Sequence, residues 1–371
     1  MSVGAPQRRL TPEFSLRVIQ HVRLAAIGLA LAVATLVVPR PVAHAQSRAK
    51  ASASESMPAR HGTVHTDTLW SQSLGLRKAL TVYLPPSYGR NATRRYPVLV
   101  YLHGLTGNER NWVDAGKLDS TLDALATAGR GEAIVVMPDG DDGWYTTWNS
   151  LAVSPPCASD STRKEPASAF CVPWTHYDDY VAHDIVSHVD AHYRTLADRR
   201  HRGIGGLSMG GYGAMSLALS YPEVFGAAAS HSGVLSPRLL APKPYPSDAR
   251  TPTTPVYATD TLGFKASSTW LWRYLAPVFG HDSIGWIARD PGRIAERALV
   301  NSKRSHLPLP ALYLDCGVQD DFVDQNRDFD ATLRRLRVSH QYAEWPGTHD
   351  WKYWRVHASE SLRFLLARTA P

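Results

Sequence analysis

The sequence is poor in cysteine, with three in 371 residues, and none of its Cys and His residues fall at zinc-ligand spacing. That excludes a metal-stapled module. It has no internal repeat, which excludes a solenoid or propeller. A mean hydropathy of −0.25 excludes a multi-span membrane protein. It also lacks a one-signed charge excess outside its N-terminus. Of the net charge of +7, most lies in residues 1–45, where five arginines face Glu13 alone. The near-neutral remainder does not read as a nucleic-acid binder.

Four arginines precede an apolar run from Leu24 to Val38, broken only by Gly28 and Thr35. A membrane-spanning helix needs about 20 apolar residues, so this run is short. Pro39 and Pro41 end it, and Ala43-His44-Ala45 puts small residues where a signal peptidase reads. Residues 1–45 therefore read as a secretory signal cleaved after Ala45, with an uncleaved anchor as the alternative. Either places the body outside the cytoplasm, secreted or periplasmic, and cleavage leaves no stable membrane span. Residues 46–60, rich in Ser and Ala without apolar period, read as a flexible tether. Residues 61–371 form the folded body.

Export permits disulfides. Cys157 and Cys171 flank a polar segment, and their pairing would staple a loop worth roughly 3 kcal/mol in the chain-entropy model. Cys316, at the end of an apolar strand, reads as a small core residue.

Short apolar runs recur along the body: Tyr96–Leu102, Glu132–Met137, the segment led by Ile204, Gly226–Ala229, Ala311–Leu314 and Gln341–Trp345. Such runs suit strands buried on both faces of a parallel sheet. Helical spacing follows over Asp179–Tyr193, after Ser208, over Phe329–Leu336 and over Trp351–Leu366. The order predicts an α/β fold with helices on both faces of a mostly parallel sheet. Residues 237–291 break the rhythm and read as an insertion over the active edge, a lid.

The motifs that carry chemistry sit at strand ends. Gly206-Leu207-Ser208-Met209-Gly210 has the G-x-S-x-G form that puts a serine on a sharp strand-to-helix turn. The bare pattern arises often by chance; the strand before it and the small-residue helix after it give it weight. Serine needs a base, and His349, between the last strand and the terminal helix, is the candidate. The acid should lie between them in the chain, just past a strand. Asp320 and Asp321 both qualify, with Asp320 preferred. For an oxyanion, the N–H groups of Leu105 and Met209 are the candidate donors. His103 reads as holding the Leu105 loop in shape. Trp144, Tyr145 and Trp148 follow another strand end and are candidates to line an apolar pocket.

The segments Tyr101-Leu102-His103-Gly104, Met137-Pro138-Asp139-Gly140, Tyr177-Asp178-Asp179-Tyr180, Gly206–Gly211, Cys316–Asp320 and Gly347–Trp351 stand in an order that resembles the esterase D-like branch of the α/β-hydrolases. That branch includes S-formylglutathione hydrolases, feruloyl esterases, tributyrin esterases and antigen 85 mycolyltransferases. The resemblance spans about residues 63–366. It implies a triad of Ser208, Asp320 and His349 and no metal or other cofactor. Its spacing from glycine to acid favours Asp320 over Asp321. The 150–174 loop and the long insertion depart from the family and leave the substrate open.

The leading expectation is an exported serine carboxylic-ester hydrolase acting on a small-molecule, glycan or lipid ester. The alternatives are an acyltransferase on the same triad, with a sugar or lipid hydroxyl in place of water, and a non-catalytic binding protein on a hydrolase scaffold.

Overall fold

The computed structural model describes residues 61–148, 172–248 and 250–371. The cysteine pair expected to form a disulfide, Cys157 and Cys171, lies outside the described residues, as do the expected signal and tether. Ten strands are described: β1 Thr63–Ser71, β2 Leu76–Leu84, β3 Val98–Leu102, β4 Ile134–Pro138, β5 Arg202–Leu207, β6 Ala227–His231, β7 Leu239–Ala241, β8 Val256–Tyr257, β9 Ala311–Gly317 and β10 His340–Trp345. Eight of them form one sheet in the order β1-β2-β4-β3-β5-β6-β9-β10. The hairpin β1–β2 is antiparallel and meets β4 antiparallel; from β4 to β10 every pairing is parallel.

The central strands have no exposed face. In β3, Val98, Val100 and Leu102 pack into one core layer, while Leu99 and Tyr101 pack into the other. β4 divides likewise, Ile134 and Val136 against Val135 and Met137. Both faces must therefore be covered by helices. In chain order these are α1 Asn111–Asp114, α2 Leu118–Thr127, then α3, which runs on from Tyr177–Asp179 through a π-helical Tyr180–Ile185 to Val186–His192. α4 Met209–Ser220 follows β5. The insertion carries α5 Thr261–Ser267, α6 Trp272–Phe279 and α7 Ser283–Arg289. α8 Pro291–Ser305, α9 Val323–Arg335 and α10 Trp351–Thr369 complete the set. The mostly parallel sheet between helical layers is the α/β-hydrolase architecture expected from the sequence.

Two features place the site. The insertion is fastened at its root by a buried Arg238–Asp290 pair at 2.9 Å. Its interior is aromatic, with Trp286 stacked on Phe264 at 4.6 Å, and Tyr212 of α4 donates to the Arg289 carbonyl at 2.9 Å. α10 is fastened by buried polar contacts. Ser361 Oγ lies 2.7 Å from His231 Nε2, whose Nδ1 is 2.8 Å from Asp315. Tyr353 donates to Asp315 at 3.0 Å, and the Trp354 indole N–H donates to Ser232 Oγ at 3.1 Å. Ser361, His231 and Asp315 are the residue types of a hydrolytic triad, yet all three are sealed from solvent. They tie a helix to the sheet.

Candidate active site

Ser208 follows β5 and stands at the N-cap position of α4 with φ 53° and ψ −117°. Side chains rarely adopt this backbone, and such strain concentrates at functional turns. The turn closes only because Gly206 and Gly210 have no side chains. A methyl at Gly206 would meet the Gly210 carbonyl oxygen at 2.4 Å, and one at Gly210 would meet the Leu102 oxygen at 2.3 Å. The hydroxyl is left partly exposed at the head of α4.

His349 and Asp320 lie on two loops that are stitched together. The Val318 N–H donates to the Trp345 carbonyl at 2.9 Å, and the Gln319 N–H donates to Gly347 at 3.0 Å. The Gln319 side chain accepts from Gly347 N–H at 2.7 Å. His349 Nδ1–H donates to the Asp320 carboxylate at 2.9 and 3.1 Å. That leaves Nε2 as the acceptor, 2.9 Å from Ser208 Oγ. Phe322 and Trp354 meet the imidazole edge-on at 4.8 Å each and fix its plane. The Asp320 side chain is fully buried, whereas His349 keeps 21% of its side chain exposed. The Phe322 N–H adds a 2.8 Å bond to the Asp320 carboxylate. Asp321, the other candidate acid, is exposed, and His349 makes no bond to it. The chain Asp320–His349–Ser208 can draw a proton from the serine hydroxyl and hold the resulting imidazolium.

The loop after β3 supplies the facing wall. His103 is buried; Gly140 N–H donates to its Nε2 at 2.9 Å, so Nδ1 carries the proton and donates to the Gly104 carbonyl at 2.8 Å. In a planar trans peptide the C=O and N–H point opposite ways. Anchoring the Gly104 oxygen on His103 therefore turns the Leu105 N–H away from it. Neither the Leu105 nor the Met209 N–H finds an acceptor among the described residues, and Met209 stands in the first turn of α4, where helical N–H groups are unpaired. Beneath the loop, Lys78 bridges Asp139 at 2.7 Å and Asp141 at 2.9 Å.

A cavity of about 320 Å³ opens at Ser208. Leu105, Thr106 and Asn111 line one side and Trp351 and Trp354 another; Trp270, Leu271, Arg273 and Tyr274 come from the insertion. Of the three aromatics singled out from sequence, only Trp144 lines this cavity. Tyr145 is buried and spends its hydroxyl on the His103 carbonyl at 3.1 Å. Trp148 packs half-buried against the core. The residues that sequence reasoning missed are Thr106, Asn111 and those of α10 and the insertion. The Trp270-Leu271-Trp272 cluster was the available signal, though nothing in it tells which ring faces the serine. Cys316 is a buried free thiol, and burial pushes its pKa well up.

Comparison with known proteins agrees with this geometry. The Esterase family model, described as "Putative esterase", matches residues 71–365. An endo-1,4-beta-xylanase/feruloyl esterase of Xylanibacter ruminicola is 30% identical over 45% of this chain, and the match spans only 21% of that longer protein. An acetyl esterase of Caldicellulosiruptor saccharolyticus is 24% identical over 72% of this chain and 82% of its own. Among solved structures, a ferulic acid esterase superposes with a TM-score of 0.60 at 25% identity, covering 84% of this chain and 99% of that one. An S-formylglutathione hydrolase from Agrobacterium tumefaciens shares the fold, with a TM-score of 0.57 at 19% identity over 84% of this chain and 97% of its own. With its family model matched over most of its length and the fold of the esterase D-like branch, the chain belongs to the Esterase family.

Proposed function

We propose that the protein is an exported serine esterase working through an acyl-enzyme. The observation that carries this reading is the unbroken line from Asp320 through His349 to Ser208, with both joints at 2.9 Å, at the floor of an open cavity. Ser208 Oγ attacks the ester carbonyl carbon while its proton passes to His349 Nε2. The Leu105 and Met209 N–H groups hold the oxyanion that forms. Collapse of the tetrahedral intermediate breaks the bond to the alcohol oxygen, which takes the proton from Nε2. Water, deprotonated by the same nitrogen, then attacks the acyl-serine; the bond from the acyl carbon to Oγ breaks, Oγ takes the proton back from Nε2, and the acid is freed. His349 keeps part of its side chain exposed, so an acceptor such as water can reach it for the second step. Export rests on the N-terminal signal pattern. Acetyl and feruloyl esters, the groups named for the relatives, are the substrates to try first.

Purified protein and Ser208→Ala should be compared on nitrophenyl acetate, butyrate and ferulate, with and without an added alcohol acceptor. The variant should lose activity by orders of magnitude and fail to label with a fluorophosphonate. Equal rates in both proteins would end the serine mechanism. Dominant transfer to the added alcohol would turn the reading to an acyltransferase.

A further inference from the structure

The insertion gives the cavity a feature that ester hydrolysis alone does not require. Arg273 is its sole Lys or Arg, and no Asp or Glu lines it among the described residues. Neighbouring arginines are engaged: Arg238 on Asp290 at 2.9 Å, Arg293 on Glu296 at 2.7 Å, and Arg289 on the Thr147 carbonyl. Arg273 makes no hydrogen bond or ion pair among the described residues. Its guanidinium lies 4.7 Å from the ring centre of Tyr274, which lines the same cavity. A guanidinium is charged at every working pH and offers paired donors that match a carboxylate. Stacked on a ring, it gives up less freedom when it binds one.

We propose that Arg273 is a specificity-determining residue that binds a carboxylate carried by the ester substrate. The inference rests on Ser208 being the nucleophile. The cavity is at the small end of the range for small-molecule sites. The carboxylate therefore belongs to the same small molecule as the scissile ester, on either its acyl or its alcohol half. Because Arg273 is exposed, solvent and salt weaken the attraction, and its contribution is modest. The same positive charge draws anionic esters toward the mouth.

Two matched pairs separate the halves. Monoethyl glutarate against its primary amide carries the charge on the acyl side. 4-Carboxyphenyl butyrate against 4-carbamoylphenyl butyrate carries it on the alcohol side. The quantity read is the ratio of kcat/KM for the charged and the neutral member of each pair, with products followed by chromatography. In at least one pair, Arg273→Gln should lower that ratio about fivefold, chiefly through KM, and Arg273→Glu should lower it further. Wild-type preference should also shrink in about 0.5 M NaCl. The responding pair identifies the half that bears the charge. If the ratios in both pairs stay within about twofold of wild type in both variants, the proposal is wrong. If the wild type turns over neither neutral amide nor charged ester and does not label at Ser208, the serine-esterase reading falls and takes this proposal with it.

Discussion

The role given to His103 can be tested quantitatively. Its Nδ1–H holds the Gly104 oxygen at 2.8 Å, and the Gly107 N–H holds the same oxygen at 3.0 Å. His103→Ala removes the first bond and leaves the second. It also strips Gly140 N–H of its buried acceptor, which costs about 1–3 kcal/mol of stability. Losing a whole oxyanion donor costs about 10²–10³ in kcat. With Gly107 still anchoring the carbonyl, the Leu105 peptide is loosened rather than released, so kcat should fall about 10- to 100-fold. Ground-state binding does not use the oxyanion, so KM should stay within about twofold. His103→Asn keeps an N–H near the Nδ1 position and should recover part of kcat while still losing stability. Steady-state hydrolysis of nitrophenyl butyrate with urea unfolding of each variant provides the readouts. A folded His103→Ala with kcat within about twofold of wild type would refute the peptide-aiming argument.

Asp320→Asn should lower kcat by roughly 10³-fold or more through the wrong imidazole tautomer, while the neighbouring Asp321→Asn leaves it nearly unchanged; similar losses in both would reassign the acid. Asp328 is buried under the root of the insertion, where Ser236 and Tyr257 donate to it. Burial nonetheless pushes its pKa up to about 6. The folded chain thus keeps a proton that the unfolded chain has already released. The stability this gives is complete below about pH 4 and is lost as pH rises through about 6, by at most roughly 3 kcal/mol. Urea midpoints of wild type should therefore fall relative to Asp328→Asn across that window, and parallel curves would contradict it.

Most of the strands legible in the sequence were those buried on both faces; β10, half-buried at the far edge, is the exception. β3 and β4 carry unbroken apolar runs because each side meets a helical layer. β1 was not legible: it lies at the sheet edge, and polar residues such as Thr63, His65 and Asp67 stand exposed or half-exposed along it. β2 was missed with it. Around the serine, the glycines announce a bend so tight that a methyl cannot enter it, and that constraint is local. The wall built by the insertion is not local. Trp270 and Arg273 reach the cavity only because the Arg238–Asp290 pair and the rings around Trp286 seat that segment. Trp144 and Tyr145 illustrate the same limit. Their backbones take φ of 53° and 50°, so no strand or helix period tells where each ring goes.

The fastening of α10 has a consequence for the order of events as the chain is made. Everything that bends Ser208 into place is synthesised well before His349, and the residues that give the imidazole its footing, Tyr353, Trp354 and Ser361, come later still. A growing polypeptide whose earlier strands have already paired would hold a strained but inert alcohol. The Ser208–His349 contact would therefore be made only after His349 is delivered and α10 seats on Ser232 and His231.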